Sequence, residues 1–245
     1  MLHFPAKVLV SSGTPRGNEQ NSEIIDLYDH TFRHELKLSD VSRSKGAVGA
    51  LLNNQPLICG GSAQNTRCTV VGKPSLSIKL IQPRSYAASV VLPDQSLWIV
   101  GGDDGNFPLS STEFVYIDKP SKAGPELPFS IKKHGMVQIE NMVYIIGGWQ
   151  GRVNSNHKVW IVDLLNDFSI SEGPSLNVPR FGHTCGKMII NGNTLIVVAG
   201  GSDGSNCLDS VEILEYGSDQ WIQGSTNTLI IEMRFRRMCD FFTFF

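Results

Sequence analysis

The chain has 245 residues, 21 Lys and Arg against 23 Asp and Glu, a net charge of −2 and only 18% charged residues. Signs are mixed along its length, which excludes the basic surface of a nucleic-acid binder and a polybasic membrane patch. No run approaches the eighteen or so apolar residues of a membrane span, and residues 1–10 lack the charged start and unbroken apolar stretch of a signal peptide.

Taken in chain order, three short strands come first, at 8–10, 23–27 and 35–38. A hairpin follows, with a strand at 47–52, a turn at 53–56 and the apolar run Leu57-Ile58-Cys59 ending in Gly60-Gly61. The pattern repeats three times. Strand 86–92 turns at 93–96 into a run ending in Gly101-Gly102. Strand 135–139 turns at 140–141 into one ending in Gly147-Gly148, and strand 184–190 turns at 191–193 into one ending in Gly200-Gly201. Asn, Asp, Pro and Gly supply the turn chemistry. A polar loop and a third strand follow the last three double glycines, at 113–117, 158–162 and 211–216. A weaker fourth strand is marked by Phe168-Ser169-Ile170 and by Trp221-Ile222 in the last two units.

The second glycines stand at 61, 102, 148 and 201, intervals of 41, 46 and 53. Four antiparallel strands recurring at such a period predict an all-β propeller, with one blade per unit. The glycines are expected where the inner strands leave no room for a side chain. The units fall near 1–44, 45–82, 83–130, 131–178 and 179–224, and 225–245 is a non-repeating tail. The first unit lacks its innermost strand, and the apolar segment 228–232 is the candidate to supply it and close a ring of about five four-stranded blades. Six units at this spacing would need roughly 280 residues, so the competing expectation is that the chain is incomplete. The aromatic end at 233–245 breaks the pattern without turn signals.

These residues resemble the kelch repeat: an apolar strand ending in Gly-Gly, a later Tyr and Trp, and an Arg or His before the next inner strand. Pro179-Arg180-Phe181-Gly182-His183 matches that last element closely and Lys133-His134-Gly135 in part. The resemblance covers roughly 8–224. Unit 45–82 lacks the Tyr and Trp, and the first unit has Ser12-Gly13 in place of Gly-Gly. The phrases at 46–52 and 109–114 are similar to invertebrate kelch-domain proteins, some of them secreted. Both a cytoplasmic and an extracellular location stay open.

No enzymatic constellation is present. Gly-x-Ser-x-Gly, His-Glu-x-x-His, the P-loop and the dinucleotide fingerprint are absent, and zinc spacing is absent among the five cysteines. Asp103-Asp104-Gly105-Asn106 and Asp203-Gly204-Ser205-Asn206 have the composition of calcium loops but not the spaced ligands, so they read as turns. The resemblance brings in one enzyme, galactose oxidase, whose copper site uses Tyr, His and Cys. Tyr28, Tyr86, Tyr116, Tyr144 and Tyr216 with His134, His157 and His183 form no such pattern, and most of the tyrosines fall within strands. The reading therefore assigns no catalytic residue, cofactor or metal.

In a four-stranded blade, the loop between the second and third strands and the loop leading into the next blade emerge on one face. That face would carry Asp103, Asp104, Asn106, Trp149, Gln150, Arg152, Asp203 and Asn206 beside Arg84, Lys132, Lys133, Arg180 and His183. These are the candidate binding residues for a protein or peptide partner. An Arg there could grip a carboxylate and Trp149 could anchor an apolar group; the plainer reading of Arg84 and Arg180 is that they tie blades together. A non-catalytic interaction module is the leading expectation. The alternative is a substrate adaptor of a cullin-type ubiquitin ligase, which would need a BTB domain outside this sequence. Cys59 ends one strand and Cys68 opens the next, so a disulfide between them stands beside the reading that both are small buried hydrophobes.

Overall fold

A computed structural model describes residues 46–61, 65–70, 73, 76, 78–150 and 155–224, and the backbone of three strands before them. Those three are β1 (Lys7–Ser11), β2 (Asn21–Asp26) and β3 (Phe32–Lys37), which form a three-stranded antiparallel sheet. Four four-stranded sheets follow, each an antiparallel meander in chain order. The first holds β4 (Ala47–Leu52), β5 (Gln55–Gly60), β6 (Arg67–Val70) and β7 (Ile78–Lys79). The second holds β8 (Ala88–Val91), β9 (Leu97–Val100), β10 (Thr112–Val115) and β11 (Lys122–Ala123). The third holds β12 (Gly135–Ile139), β13 (Met142–Ile146), β14 (Val159–Asp163) and β15 (Ser169–Glu172). The fourth holds β16 (Thr184–Ile190), β17 (Asn193–Ala199), β18 (Val211–Glu215) and β19 (Ile222–Gly224).

The molecule is a β-propeller with no helix among the described residues. Four blades are complete there and the N-terminal sheet has three strands, one fewer than a ring of uniform four-stranded blades requires. The segment 228–232, expected to close that ring, and the tail after it lie outside the described residues, as does Arg152.

In the second and third blades the second strand is apolar along its whole length because it is covered on both faces. In β9, Leu97 and Ile99 pack with Val48, Leu52, Leu57 and Cys59 of the preceding blade. The alternate residues Trp98 and Val100 pack with Met136, Val143, Ile145 and Val162 of the following one. The period-2 geometry of a strand thus sends odd and even side chains into two different interblade cores. The next seam repeats the arrangement, with Val137, Tyr144 and Ile146 against Ile196, Val198, Leu214 and Trp221. Cys59 and Cys68 are directly opposite in β5 and β6 and are joined by a disulfide.

The double glycines form the joint between blades. Each first glycine has a positive φ: +68° at Gly60, +60° at Gly101 and +57° at Gly147. A Cβ there would lie 2.3 Å from the Arg84 carbonyl, 2.3 Å from the Ile131 carbonyl and 2.5 Å from the Arg180 carbonyl, respectively. The second glycine's N–H donates to that same carbonyl, at 2.8 Å from Gly61 to Arg84, Gly102 to Ile131 and Gly148 to Arg180. Backbone meets backbone, so both the conformation and the space demand glycine. At Gly200 the nearest atom to such a Cβ, apart from its chain neighbours, is the Leu208 carbonyl of its own blade, 3.7 Å away.

Candidate partner-binding face

The loop after each of the last three double glycines folds back onto the segment that leads into its own blade. Ser85 bridges Asp103, Lys132 bridges Trp149 and Phe181 bridges Ser202. Both loop types therefore share one face. The next residue of each lead-in forms a chain of hydrogen bonds from blade to blade: Tyr86 N–H donates to the Gly46 carbonyl, Lys133 N–H to the Tyr86 carbonyl and Gly182 N–H to the Lys133 carbonyl. All four residues have left-handed backbone, with φ of +79° at Gly46, +55° at Tyr86, +57° at Lys133 and +64° at Gly182. Non-glycine residues held there carry strain of order 1 kcal/mol, retained because the surrounding bonds over-determine them.

Side chains converge around Lys133. Its ammonium lies 5.0 Å from the Tyr86 ring centroid, 5.2 Å from that of Phe181 and 5.6 Å from that of Trp149. Lys132 lies 5.0 Å from the Trp149 ring and pairs with Asp103, the two side chains 19% and 13% exposed. Trp149 and Phe181 stand 5.7 Å apart. Tyr86, Lys132, Lys133, Trp149 and Phe181 are all half-buried, open enough to touch a partner and packed enough to stay in place.

The flanking loops are built by their own aspartates. Asp104 Oδ1 accepts the N–H groups of Asn106 and Phe107, and Asp203 Oδ1 those of Ser205 and Asn206. The bonds from Phe107 and Asn206, respectively, lead in holding each carboxyl below the usual carboxylate range, so both remain ionised. Phe107, at the tip of the first loop, is 71% exposed. Asn106 and Asn206 are exposed and Gln150 half-buried on these loops.

Three candidates from the sequence are corrected: Arg84, Arg180 and His183 are interior residues. The Arg84 guanidinium donates to the Gly101 and Ser111 carbonyls, the Ser111 hydroxyl and the Glu113 carboxylate. Arg180 repeats the arrangement with Gly200, Ser210 and Glu212. Their side chains thus hold their own blades together while their carbonyls hold the preceding ones. Burial lowers the Arg84 pKa and raises that of Glu113, the latter opposed by the Ile81 N–H and by Arg84 itself. A guanidinium so committed cannot grip a partner's carboxylate. In the third blade the same carbonyl belongs to Ile131, and Trp160 replaces the glutamate, opposite Ile145 as Glu113 is opposite Ile99.

His183 packs behind the face with His134, each against a second glycine, Gly201 and Gly148. Neither ring makes a well-formed hydrogen bond, and burial lowers both imidazoles to about 3. Burial likewise pushes the neighbouring Cys185 thiol up to about 12. Among the described residues no group of three or more His, Cys, Asp or Glu is arranged to hold a metal, and no helix is long and apolar enough to cross a membrane. A shallow cavity of about 430 Å³ opens on the opposite face between Leu92, Gln95, Gln138, Glu140 and Lys187.

Sequence reasoning missed Tyr86 and Phe181. Aligning the lead-ins would have found them, since Ser85-Tyr86-Ala87, Lys132-Lys133-His134 and Phe181-Gly182-His183 occupy equivalent positions. Gly182 marks the left-handed site in that alignment, which places Tyr86 before its strand rather than in it.

The family profile described as the kelch motif matches residues 132–167 and 189–228. The fold agrees with that of the solved structure of YjhT, at a TM-score of 0.65 over 84% of this chain and 77% of that one, with 13% identity. This chain is a β-propeller that carries kelch motifs. Among curated proteins, the kelch propeller is 28% identical over 153 residues to a probable serine/threonine-protein kinase of Dictyostelium discoideum. It is 23% identical over 134 residues to a kelch repeat and BTB domain-containing protein 2 of cowpox virus. Those matches take in 58% and 51% of this chain but only 11% and 24% of the relatives. The kelch propeller fold typically serves protein interaction rather than catalysis.

Proposed function

We propose that this kelch propeller is a non-catalytic interaction module that binds a protein or peptide partner on the face formed by the loops after the double glycines and the lead-ins between blades. The observation that carries the reading is the cluster of Tyr86, Trp149 and Phe181 around Lys133, fixed by the chain of backbone hydrogen bonds between left-handed residues. Aromatic side chains on a rigid support provide large contact area at little entropic cost. The kelch and BTB relative supports a second reading, in which the same face selects substrates for a ubiquitin ligase whose BTB domain lies outside this sequence.

A displayed library of protein fragments selected on the immobilised full chain tests the face. Trp149→Ala should lower retention of the selected fragments at least tenfold, whereas Leu165→Ser, on the exposed β14–β15 turn at the opposite face, should leave it unchanged. Equal retention by all three proteins would rule this face out as the binding surface.

A further inference from the structure

Resting on that reading, we propose that this propeller folds and acts in an oxidising compartment, so that the protein bound on its face is a secreted or cell-surface one. Two disulfides point there. Cys59 and Cys68 are linked inside the seam between the first and second blades, 1% and 0% exposed, among Leu57, Leu97 and Ile99. Cys207, exposed on the loop that follows Gly200-Gly201, is disulfide-bonded as well. The cross-strand position that Cys59 and Cys68 occupy does not require a covalent bond for packing. In the other blades it holds Val100 and Thr112, Ile146 and Val159, and Ala199 and Val211. In the first blade it is locked next to the joint, where the Gly61 N–H donates to the Arg84 carbonyl.

Sulfurs this deep meet an oxidant only before the seam closes, so the bond forms as the chain folds. Two thiols then pass two protons and two electrons to an exchange disulfide of the compartment, which leaves as two thiols. Glutathione in a cytosol runs that exchange toward the thiols while the chain is open, and it still reaches a bond at an exposed residue such as Cys207 afterwards. The free cysteine, Cys185, undoes neither bond: attack requires a thiolate, and burial pushes its thiol up to about 12. Both bonds thus persist where the surroundings are oxidising, and a partner of this chain shares those surroundings. That favours a partner outside the cytosol over the ubiquitin-ligase reading.

The test recovers the full chain from the cells that make it, quenches it in acid, unfolds it in N-ethylmaleimide without reductant and maps the cysteines by mass spectrometry. Cys59 and Cys68 should be recovered as one linked pair, with Cys207 unlabelled and Cys185 labelled. The same chain produced in a reducing cytosol should carry label on Cys59 and Cys68 and unfold at a lower urea concentration. Label on Cys59 and Cys68 in the native source overturns the inference. So does a linked pair in both sources, because the bond then forms whatever the compartment. The binding face is judged separately: if Cys59 and Cys68 prove reduced and Trp149→Ala still releases the selected fragments, the face stands with a cytosolic partner. If they are linked and Trp149→Ala releases nothing, the compartment stands and the partner on this face falls.

Discussion

Arg84–Glu113 and Arg180–Glu212 are fully buried ion pairs that also satisfy backbone groups, the glutamates accepting N–H groups from Ile81, Asn177 and Val178. Breaking such a pair leaves an uncompensated buried charge, which costs about 3–5 kcal/mol. Arg84→Met should therefore cost about that much in urea unfolding, and the double variant Arg84→Met/Glu113→Gln less than the sum of its singles. The third blade, with Ile131 and Trp160 at these positions, shows that an apolar solution is compatible with the same backbone. His134 and His183 make stability pH-dependent. Their folded values of about 3 lie below the ordinary 6.5, so the unfolded chain binds more protons in between. Stability contributed by the neutral rings is complete above pH 6.5 and is lost as pH falls toward 3, by up to about 2.7 kcal/mol per pH unit for two groups. His134→Phe should halve that slope in chemical unfolding followed across pH 4–6; an unchanged slope would mean that His134 is not buried neutral.

The double-glycine joint acts at the scale of the element. Gly101→Ala would place a methyl 2.3 Å from the Ile131 carbonyl at a φ of +60°, and the seam between two blades would have to separate. Gly105, on the exposed loop, has a φ of +100° and nothing within 4 Å, so Gly105→Ala meets only backbone strain. Thermal unfolding should show a loss of about 3 kcal/mol or more for Gly101→Ala and about 1–2 kcal/mol for Gly105→Ala. The strands were legible in the sequence because Gly-Gly, turn residues and apolar runs recur together: the strands at 47–52, 135–139 and 184–190 match β4, β12 and β16 residue for residue. Tyr86 was not legible, because an aromatic residue next to a strand reads as part of it, whereas its backbone is turned by a hydrogen bond to Gly46 in another blade.

Across the whole molecule, stability resides in seams shared by neighbouring blades, as in other repeat architectures. Residues adjacent in β9 therefore report on opposite neighbours. Ile99→Ala should raise amide exchange mainly in β5 and β6 of the preceding blade, and Trp98→Ala mainly in β13 and β14 of the following one. Uniform loosening in both variants would show that the blades unfold as a single block. The same architecture produces the proposed binding face, because the second, third and fourth blades each deliver one left-handed residue and one loop to a common rim.

The sequence by itself determined the repeat, the hairpins and the kelch resemblance, since these follow from local periodicity and turn chemistry that need no neighbour to be read. Only the tertiary structure decided which polar residues face outward. Arg84 and Lys133 look interchangeable as cations before an inner strand, yet one ends among the Gly101 and Ser111 carbonyls with Glu113 and the other on the rings of Tyr86, Trp149 and Phe181. The difference is a step of two positions in the lead-in: the residue whose carbonyl meets the preceding double glycine directs its side chain into its own blade, and the left-handed residue two positions later directs its side chain to the face. That distinction is set by contacts between segments 16 to 49 residues apart, and in the chain only the alignment of the lead-ins, not the pattern within any one of them, carries a trace of it.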